Sequence, residues 1–343
     1  MTLVSVIGNF FSSVAPVFYH FFDEIDTHII IADDSKRDSR YARKFKEGVK
    51  NFCLEKNKNL RQIFITIDED SNSAINKACE SVIKHANGEV LINISDGLAS
   101  VHTIMTQKLL PLGVKFISYD IFDNEFHILS KEGIKERKKA KPMNIKDHFT
   151  LKGVEVLSMN DLDFAHKNER YIKEIFENHH REYREFKYCL TVGKNPSAHS
   201  YPNIHRCLIS MNRSFNSDYQ FLTGGLFEYY VYLQLKDYDF DDLAVGMKVS
   251  DNEVRNEYDV LAIKDNHLNI IECKHKRKTF NAESVLYKYA ALKRMVDYDS
   301  KVVIVSLDNY VKDSHKQRAK MFDIKFVSLN ENMGDEIYEF LRS

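Results

Sequence analysis

The chain has 343 residues, of which 43% are hydrophobic, so it is long enough to form two packed cores. Its 49 basic and 50 acidic residues give a formal net charge of −1, which excludes a global basic field and confines any nucleic-acid site to a local patch. Five scattered cysteines contain no CxxC pair, which excludes a zinc ribbon and a disulfide framework. This cysteine usage, the absence of a signal-peptide pattern and the absence of a long apolar run predict a cytoplasmic protein away from membranes.

Short apolar runs alternate with amphipathic segments through the first part of the chain. Their Ile- and Val-rich composition, without strict alternation, is typical of strands buried on both faces. The runs are Leu3–Ile7, His28–Ala32, Gln62–Ile67, Val90–Ile94 and Val114–Tyr119. The order predicts an α/β fold with a Rossmann-like, mostly parallel sheet over residues 1–142, closed by a hairpin between Phe116 and Leu129.

Polar and glycine residues follow the first, second and fourth of these runs. Ligands of open α/β sheets bind beyond the carboxyl ends of the strands, so these loops are candidate ligand contacts, although ordinary turn chemistry explains any one of them alone. The candidates are Asn9, Phe10, Phe11, Ser12, Asp34, Ser35, Asn93, Ser95, Asp96 and Gly97. Neither GxGxxG nor a Walker A motif occurs, which argues against NAD binding and ATP hydrolysis.

The middle of the chain is charged and carries two predictions. The basic run Lys131–Lys141 reads as a solvated linker, with a phosphate-binding patch as the alternative. Residues 143–218 are predicted to form a helical connector.

The last part, residues 219–343, predicts a second α/β domain. Its elements follow the order α-β-β-α-β-α-β, with a short terminal helix. They are Gly225–Leu235, Tyr258–Ile263, Leu268–His275, Ala282–Val296, Lys301–Leu307, Lys312–Phe322 and Lys325–Leu329.

The two adjacent strand patterns place ionisable residues in apolar stripes. A hairpin that turns between Asp265 and Asn266 pairs Asp259 with Glu272, and opposed residues have Cβ atoms about 4.5–5.5 Å apart. Two carboxylates at that distance repel each other unless a cation lies between them, and Mg²⁺ or Mn²⁺ is the expected occupant. Lys274 projects to the same face as Glu272 because side chains alternate along a strand.

This set of residues suits phosphodiester hydrolysis. A metal held by carboxylates activates water and polarises a phosphoryl oxygen, and a lysine orients the water or neutralises the phosphate. The predicted metal ligands are Asp259, Glu272 and Glu228. Glu228 lies on the preceding helix and either completes this set or assists as a base.

The segments GGLFEYYVYLQL, NEYDVLAI and NIIECKHKR resemble the PD-(D/E)xK nuclease superfamily. The resemblance implies a restriction-endonuclease-like domain in which Glu228, Asp259, Glu272 and Lys274 are catalytic. The alternative is a hairpin with surface ion pairs. The basic cluster Lys274–Lys278 is predicted either to contact the backbone of a nucleic acid or to form an exposed turn. The segment Tyr287–Tyr289 is predicted either to stack on a base or to belong to the hydrophobic core.

A Rossmann-like domain followed by such a nuclease domain resembles the CRISPR-associated CARF-domain nucleases of type III immunity. The resemblance implies a homodimer that binds a cyclic oligoadenylate, expected to be cyclic tetra-adenylate, at the candidate loops and then cuts DNA or RNA. The family's loop after the fourth strand often reads Asn-x-Thr-Gly-Gly-Thr-Lys. Asn93, Ser95 and Gly97 fit that pattern loosely, whereas Asp96, Leu98 and Ala99 depart from it.

Two alternatives remain open at this stage. One is a restriction or repair endonuclease whose N-terminal domain recognises DNA directly. The other is a nucleotide sensor whose nuclease-like domain is non-catalytic.

Overall fold

The computed structural model describes residues 1–8, 10–34, 36–252, 254–274, 282–296, 299–307 and 311–342, without the side chains of 36–39, 135–136, 282–285 and 294–295. The chain forms two compact units. Unit 1 comprises Met1–Glu155, Asp251–Glu253 and Asp265–His267. Unit 2 comprises Val156–Ser250, Val254–Lys264 and Leu268–Ser343.

Unit 1 is built on a seven-stranded sheet in the order β3-β2-β1-β4-β5-β6-β7. Its strands are β1 (Thr2–Ile7), β2 (Thr27–Asp33), β3 (Arg61–Ile67), β4 (Val90–Asn93), β5 (Lys115–Asp120), β6 (Glu125–Ser130) and β7 (Gly133–Lys139). Strands β1 to β5 pair in parallel, and β5-β6-β7 is antiparallel. The predicted α/β class, the parallel sheet and the closing hairpin are therefore confirmed.

Helices follow the parallel strands as crossover connections require. They are α1 (Phe11–His20), α2 (Lys36–Glu55), α3 (Asn72–His85) and α4 (Ala99–Leu109), and α5 (Ile145–Leu151) comes after the sheet. Local signals explain two of the starts. The Ser71 hydroxyl accepts from the Ala74 N–H at α3, and the Asn144 side chain accepts from the Asp147 N–H at α5.

The basic segment Lys131–Lys141 is not the predicted solvated linker. Most of it forms β7, which pairs with β6 as the last strand of the sheet. Lys139 lies 3.7 Å from Glu125 of β6, so opposite charges meet across the pair. Lysines on a terminal strand also discourage pairing with other chains, which accounts for the charge without a ligand.

Residues 265–267, the turn between two later strands, pack within unit 1. The Asn266 side chain is 4% exposed. Its Oδ1 accepts from the Met143 N–H at 2.8 Å, and its Nδ2 donates to Asn124 Oδ1 at 2.9 Å. His267 Nε2 lies 2.8 Å from the Ile121 carbonyl oxygen. Asn266 also has φ of 66°, a left-handed conformation that asparagine tolerates better than most residues.

We expect Asn266→Ala to lower the free energy of unfolding by about 1–3 kcal/mol, because it leaves the buried Met143 N–H without its acceptor. Chemical denaturation of the purified protein measures the change. Asn252→Ala is the matched control, since Asn252 has a similar φ of 47° but is exposed. An equal loss in the two variants would contradict the role of the buried hydrogen bonds.

Unit 2 is built on a six-stranded sheet in the order β13-β12-β11-β10-β9-β8. Its strands are β8 (Glu155–Ser158), β9 (Asp242–Asp251), β10 (Val254–Lys264), β11 (His267–Lys274), β12 (Val302–Ser306) and β13 (Ile324–Ser328). Strands β11, β12 and β13 pair in parallel. The sequence prediction found β10 to β13 and missed β8 and β9.

Unit 2 has seven helices among its described residues. They are α6 (Leu162–Asn178), α7 (His180–Thr191), α8 (Pro202–Ser210), α9 (Leu226–Leu235), α10 (Ala282–Val296), α11 (Asp313–Lys320) and α12 (Met333–Arg342). Of these, α6 to α9 and α12 share one hydrophobic core with its sheet. Residues of α6, α7 and α8 such as Phe176, Phe186 and Leu208 are buried with Phe227 of α9. The segment expected as a separate connector is thus divided: α5 belongs to unit 1, and α6 to α8 are part of unit 2.

None of the helices in the described part of the chain is long and apolar enough to cross a membrane.

Candidate active site

Strands β10 and β11 form a hairpin whose turn has the predicted position. β10 ends at Lys264 and β11 begins at His267, so the turn consists of Asp265 and Asn266. Both have positive φ, 51° and 66°, as a tight two-residue hairpin turn requires. Counting outward from this turn places Asp259 opposite Glu272.

The two carboxylates lie in largely buried surroundings. Glu272 is 5% exposed and follows the fully buried Ile270 and Ile271. The Oδ2 atom of Asp259 accepts a hydrogen bond of 2.7 Å from the backbone N–H of Cys273. That bond ties the side chain of β10 to the strand that carries Glu272 and limits the conformations of Asp259.

Lys274 forms an ion pair with Glu272 Oε1, as its position two residues further along the strand predicts. Its ammonium also lies 5.9 Å from the centre of the Tyr289 ring. The side chain of Lys274 is 30% exposed. An amine that contacts a buried carboxylate and still reaches solvent is suitably placed to meet an anionic substrate.

Glu228 belongs to the first turn of α9, which follows a π-helical turn at Phe221–Gly225. Burial raises the pKa of its carboxyl to about 8, with further contributions from the charges of Asp259, Glu257 and Glu272, while Lys187 opposes the shift. All three predicted acids therefore act on one another electrostatically.

Asp259 shows the same effect. Burial raises the pKa of its carboxyl to about 7, and the charge of Glu272 raises it further, against the Cys273 hydrogen bond and Lys274. Elevated pKa values in a group of neighbouring acids are typical of functional sites, because packing alone gives no reason to bury like charges together.

The acidic side chains of the site can hold a divalent metal only together with water ligands. Among the described residues, no three His, Cys, Asp or Glu side chains converge closely enough to hold a metal ion by themselves. The pair Asp259 and Glu272 supplies hard oxygen ligands, which Mg²⁺ and Mn²⁺ prefer and commonly supplement with water. The buried pair therefore fits a metal bound partly by solvent, and Glu228 lies within electrostatic range of it.

Tyr289 of α10 is part of this site, a role that sequence reasoning did not find. It is buried, as the alternative reading of the Tyr287–Tyr289 segment predicts. Burial raises the pKa of its phenol, as do the charge of Glu272 and a hydrogen bond to that carboxylate. Lys288 Nζ lies 3.2 Å from the same hydroxyl. Tyrosine at helical spacing signals core in a single sequence, and nothing in the spacing indicates a partner on β11.

We expect Tyr289→Phe to lower the turnover number for nucleic-acid cleavage by about tenfold, because a hydrogen bond to a charged group contributes about 1.5–3 kcal/mol. Tyr287→Phe is the control, since Tyr287 is exposed on the same helix. The thermal midpoint separates positioning from folding. A Tyr289→Phe protein with full activity would remove Tyr289 from the site.

Of the basic cluster predicted beside the site, only Lys274 lies within the described residues. Lys276, Arg277 and Lys278 fall outside them.

In unit 1, Asp96 connects the loop after β4 with the loop after β1. Its Oδ2 accepts from the N–H groups of Gly8 at 2.7 Å and Phe10 at 3.1 Å, and its Oδ1 accepts from the Gly97 N–H at 2.8 Å. A Cβ added to Gly8 would lie 2.7 Å from Asp96 Oδ1, so only glycine permits this approach. Asp96 therefore holds the two loops together by its own carboxylate.

Two buried polar atoms near these strand ends have no hydrogen-bond partner among the residues that the structure describes. They are Ser12 Oγ in the first turn of α1 and Asn93 Nδ2 at the end of β4. The Oδ1 of Asn93 accepts from the Ser95 N–H at 3.0 Å, and Ser95 Oγ accepts from the Tyr119 N–H at 2.8 Å. Buried donors are usually satisfied, so an unpaired amide and hydroxyl at a sheet end are compatible with a ligand site.

The side chains of the other residues predicted to contact a ligand differ in their exposure. Phe10 is about half exposed, whereas the partly buried Phe11 ring packs edge-on against the buried His148 at 5.0 Å. Asp34 is exposed, and its N–H donates to the Ile67 carbonyl oxygen. Asn9 and Ser35 lie outside the described residues.

Residues 216–342 match the family of the Card1-like endonuclease domain. This range contains Glu228, Asp259, Glu272 and Lys274 together. None of the curated proteins is similar enough in sequence to match the chain.

Solved structures share the fold over nearly the whole chain. Protein VC1899 from Vibrio cholerae superposes with a TM-score of 0.79 at 18% identity, covering 99% of this chain and 98% of that one. Can2 from Sulfobacillus thermosulfidooxidans, in complex with cyclic tetra-adenylate, superposes with a TM-score of 0.78 at 14% identity, covering 100% and 99%.

The fold and the site together define a protein with a Rossmann-like N-terminal domain and a C-terminal domain similar to endonucleases. Residues 216–342 are similar to the Card1-like endonuclease domain, and the overall fold is shared with VC1899 and Can2. These findings confirm the resemblance of the sequence to the CRISPR-associated CARF-domain nucleases.

Proposed function

We propose that this protein is a metal-dependent nuclease of CRISPR antiviral defence, activated by a cyclic oligoadenylate and cutting the phosphodiester bonds of DNA or RNA without sequence preference. The observation that carries the proposal is the buried hairpin of the endonuclease domain, on which Asp259 opposes Glu272 and Lys274 contacts Glu272.

The chemistry follows from these side chains. Asp259 and Glu272 would hold Mg²⁺ or Mn²⁺ with water, and Glu228 would complete the ligands or accept a proton. When bound, the metal supplies an activated water and charge stabilisation at the phosphoryl group. Lys274 orients the attacking water or neutralises the phosphate, Glu272 keeps its ammonium in place, and Tyr289 holds the Glu272 carboxylate.

The activator proposal rests on the loops of unit 1 and on a neighbour. Can2 was solved with cyclic tetra-adenylate. In this chain the strand ends carry Ser12 and Asn93 with unpaired buried polar atoms and the exposed Phe10. An amide and a hydroxyl would bind phosphate oxygens, and an exposed aromatic ring would stack on an adenine. We further propose that the active form is a homodimer.

The substrate proposal rests on charge. The formal net charge is −1, so binding depends on local contacts with the backbone rather than on a strong overall field. Contacts with the sugar-phosphate backbone of a nucleic acid carry no sequence information, which supports cutting without sequence preference.

Supercoiled plasmid and single-stranded RNA, each incubated with Mn²⁺ in the presence and absence of cyclic tetra-adenylate, test the proposal. We expect cleavage of at least one substrate only when activator and metal are both present. Cleavage without activator would favour a restriction or repair endonuclease. No cleavage with any metal or activator would favour a non-catalytic sensor.

A further inference from the structure

Unit 2 contains a cavity of about 660 Å³ that the proposed chemistry does not use. This volume lies within the usual range for ligand sites. Its walls come from α6, α7, α9 and the residues that follow β12 and β13. The cavity therefore opens at the carboxyl ends of the parallel strands.

The cavity lies beside the strand that carries Lys274. The N–H of Leu307, a lining residue, donates to the carbonyl oxygen of Lys274 at 3.4 Å. Leu329, another lining residue, donates its N–H to the carbonyl of Ser306 at 2.9 Å. Neighbouring strands are about 4.8 Å apart, so these walls begin roughly 5–10 Å from the backbone of the candidate catalytic lysine.

The α7 wall is cationic. His180, Arg181 and Arg184 line the cavity within the first turns of the helix. The N-terminal end of α7 adds the positive pole of the helix dipole. Lys187 lies three residues after Arg184 and so on the same face, and its charge acts on Glu228. A basic helix face therefore runs from the cavity towards the acids of the active site.

The remaining walls have a different character. Phe176 and Tyr230 are buried, with ring centroids 4.8 Å apart, and form an apolar floor. Two carboxylates, those of Glu177 and Glu331, also line the cavity, and that of Glu177 accepts from Gln234 Nε2 at 3.3 Å. Guanidinium groups bind phosphate through paired hydrogen bonds, and an apolar floor suits the sugar or base of the same nucleotide.

We propose that this cavity binds the phosphodiester backbone of the substrate strand, one or two nucleotides from the bond that is cut. Arg181 and Arg184 contact the phosphate, and the basic face of α7 directs the strand to the hairpin. The proposal deepens the proposed function and rests on it, because it treats the ligand as the nuclease's own substrate.

The test measures binding separately from cleavage. A Glu272→Gln protein, with Mn²⁺ and cyclic tetra-adenylate present, is titrated against fluorescein-labelled 12-nucleotide single-stranded DNA and RNA at several salt concentrations. Adding Arg181→Gln or Arg184→Gln should raise Kd by about tenfold and reduce the slope of log Kd against log salt by about one. The matched control is Arg170→Gln, because Arg170 is exposed on α6 and does not line the cavity. It should leave Kd within twofold.

Each outcome decides the proposal. Unchanged Kd and salt slope in both cavity variants would overturn it, even if the wild-type protein cleaves. Weakened binding in both, with no cleavage by the wild-type protein, would support the cavity while the proposed function fails. If AMP binds in the cavity but does not weaken oligonucleotide binding, the cavity is a site for free nucleotides. That outcome would overturn the substrate role. If Arg184→Gln does not fold, the exposed Arg181 decides alone.

Discussion

Replacing Glu272 by glutamine is expected to reduce cleavage on the order of a thousandfold while leaving the fold intact. The change removes a buried carboxylate that is proposed to bind the metal and that pairs with Lys274. Loss of metal-assisted charge stabilisation amounts to several kcal/mol, and each 1.4 kcal/mol is about a factor of ten in rate. Lys274→Met should have an effect of similar size. Initial rates on plasmid and RNA, with activator and Mn²⁺ saturating, provide the measurement.

Glu257→Gln is the matched control for both variants. Glu257 lies on the same hairpin, but its side chain is 56% exposed and only 3.7 Å from Lys248, in a surface ion pair. Such pairs contribute little, so its activity should stay within about threefold of the wild type. Equal losses in Glu257→Gln and Glu272→Gln would mean that charge on the hairpin matters in general and that the assigned site is wrong.

The second large effect concerns stability in the absence of metal. The folded-state pKa of Asp259, about 7, lies above its ordinary 3.8, and that of Glu228, about 8, lies above 4.5. Folding therefore favours the protonated forms. The stability that they contribute is complete below about pH 4 and is lost as pH rises through 7 and 8. The expected loss is up to about 1.4 kcal/mol per pH unit for each group.

Asp259→Asn should therefore raise the thermal midpoint of the metal-free protein at pH 8 by several degrees, although it abolishes cleavage. Asparagine keeps an oxygen that can accept from the Cys273 N–H but carries no buried charge. Asp239→Asn is the control, because Asp239 is exposed and pairs with Lys264 at the surface. It should change the midpoint little.

With Mn²⁺ present, the thermal midpoint of the wild-type protein should exceed that of the Asp259→Asn protein. The wild-type protein gains stability from a cation that binds the folded state, and the variant lacks one of the ligands. The gain should be larger at pH 8 than at pH 6, because protons compete with the metal for the carboxylates. A metal-free Asp259→Asn protein that is less stable than the wild type at pH 8 would contradict the account of buried repulsion.

The β10–β11 hairpin, with its candidate catalytic residues, is the part of the fold that the sequence predicts best. Side-chain alternation is a local property, so Asp259, Glu272 and Lys274 reveal their common face without knowledge of the rest of the fold. The turn at Asp265 and Asn266 was found from the midpoint between the two acids. Parallel strands such as β12 were equally clear, because burial on both faces leaves a continuous run of Val and Ile.

Strands whose composition is mixed were not found. The run Lys131–Lys141 resembles a linker because eight of its eleven residues are Lys, Arg or Glu, yet β7 gains its structure from pairing with β6. Strands β8 and β9 likewise contain polar residues that hide the alternation. Their stability comes from neighbours distant in sequence, which local patterns do not contain.

The residues of the candidate sites that sequence reasoning missed also depend on partners that are distant in sequence. Tyr289 interacts with Glu272 from α10, and Arg181 and Arg184, which we propose to contact the substrate, line the cavity from α7. The predicted loop contacts of unit 1 remain predictions. Asp96 shows why its role was hard to foresee, since its carboxylate is bonded to the backbone of a loop 86 and 88 residues away.

The central claim is that Asp259 and Glu272 bind a divalent cation between two neighbouring strands. A crystal structure of the protein soaked in Mn²⁺, with anomalous diffraction recorded near the manganese edge, tests it most directly. The account predicts an anomalous peak in contact with both carboxylates, which disappears in the Glu272→Gln protein. A fully occupied peak elsewhere, or none at this hairpin at saturating Mn²⁺, would contradict it.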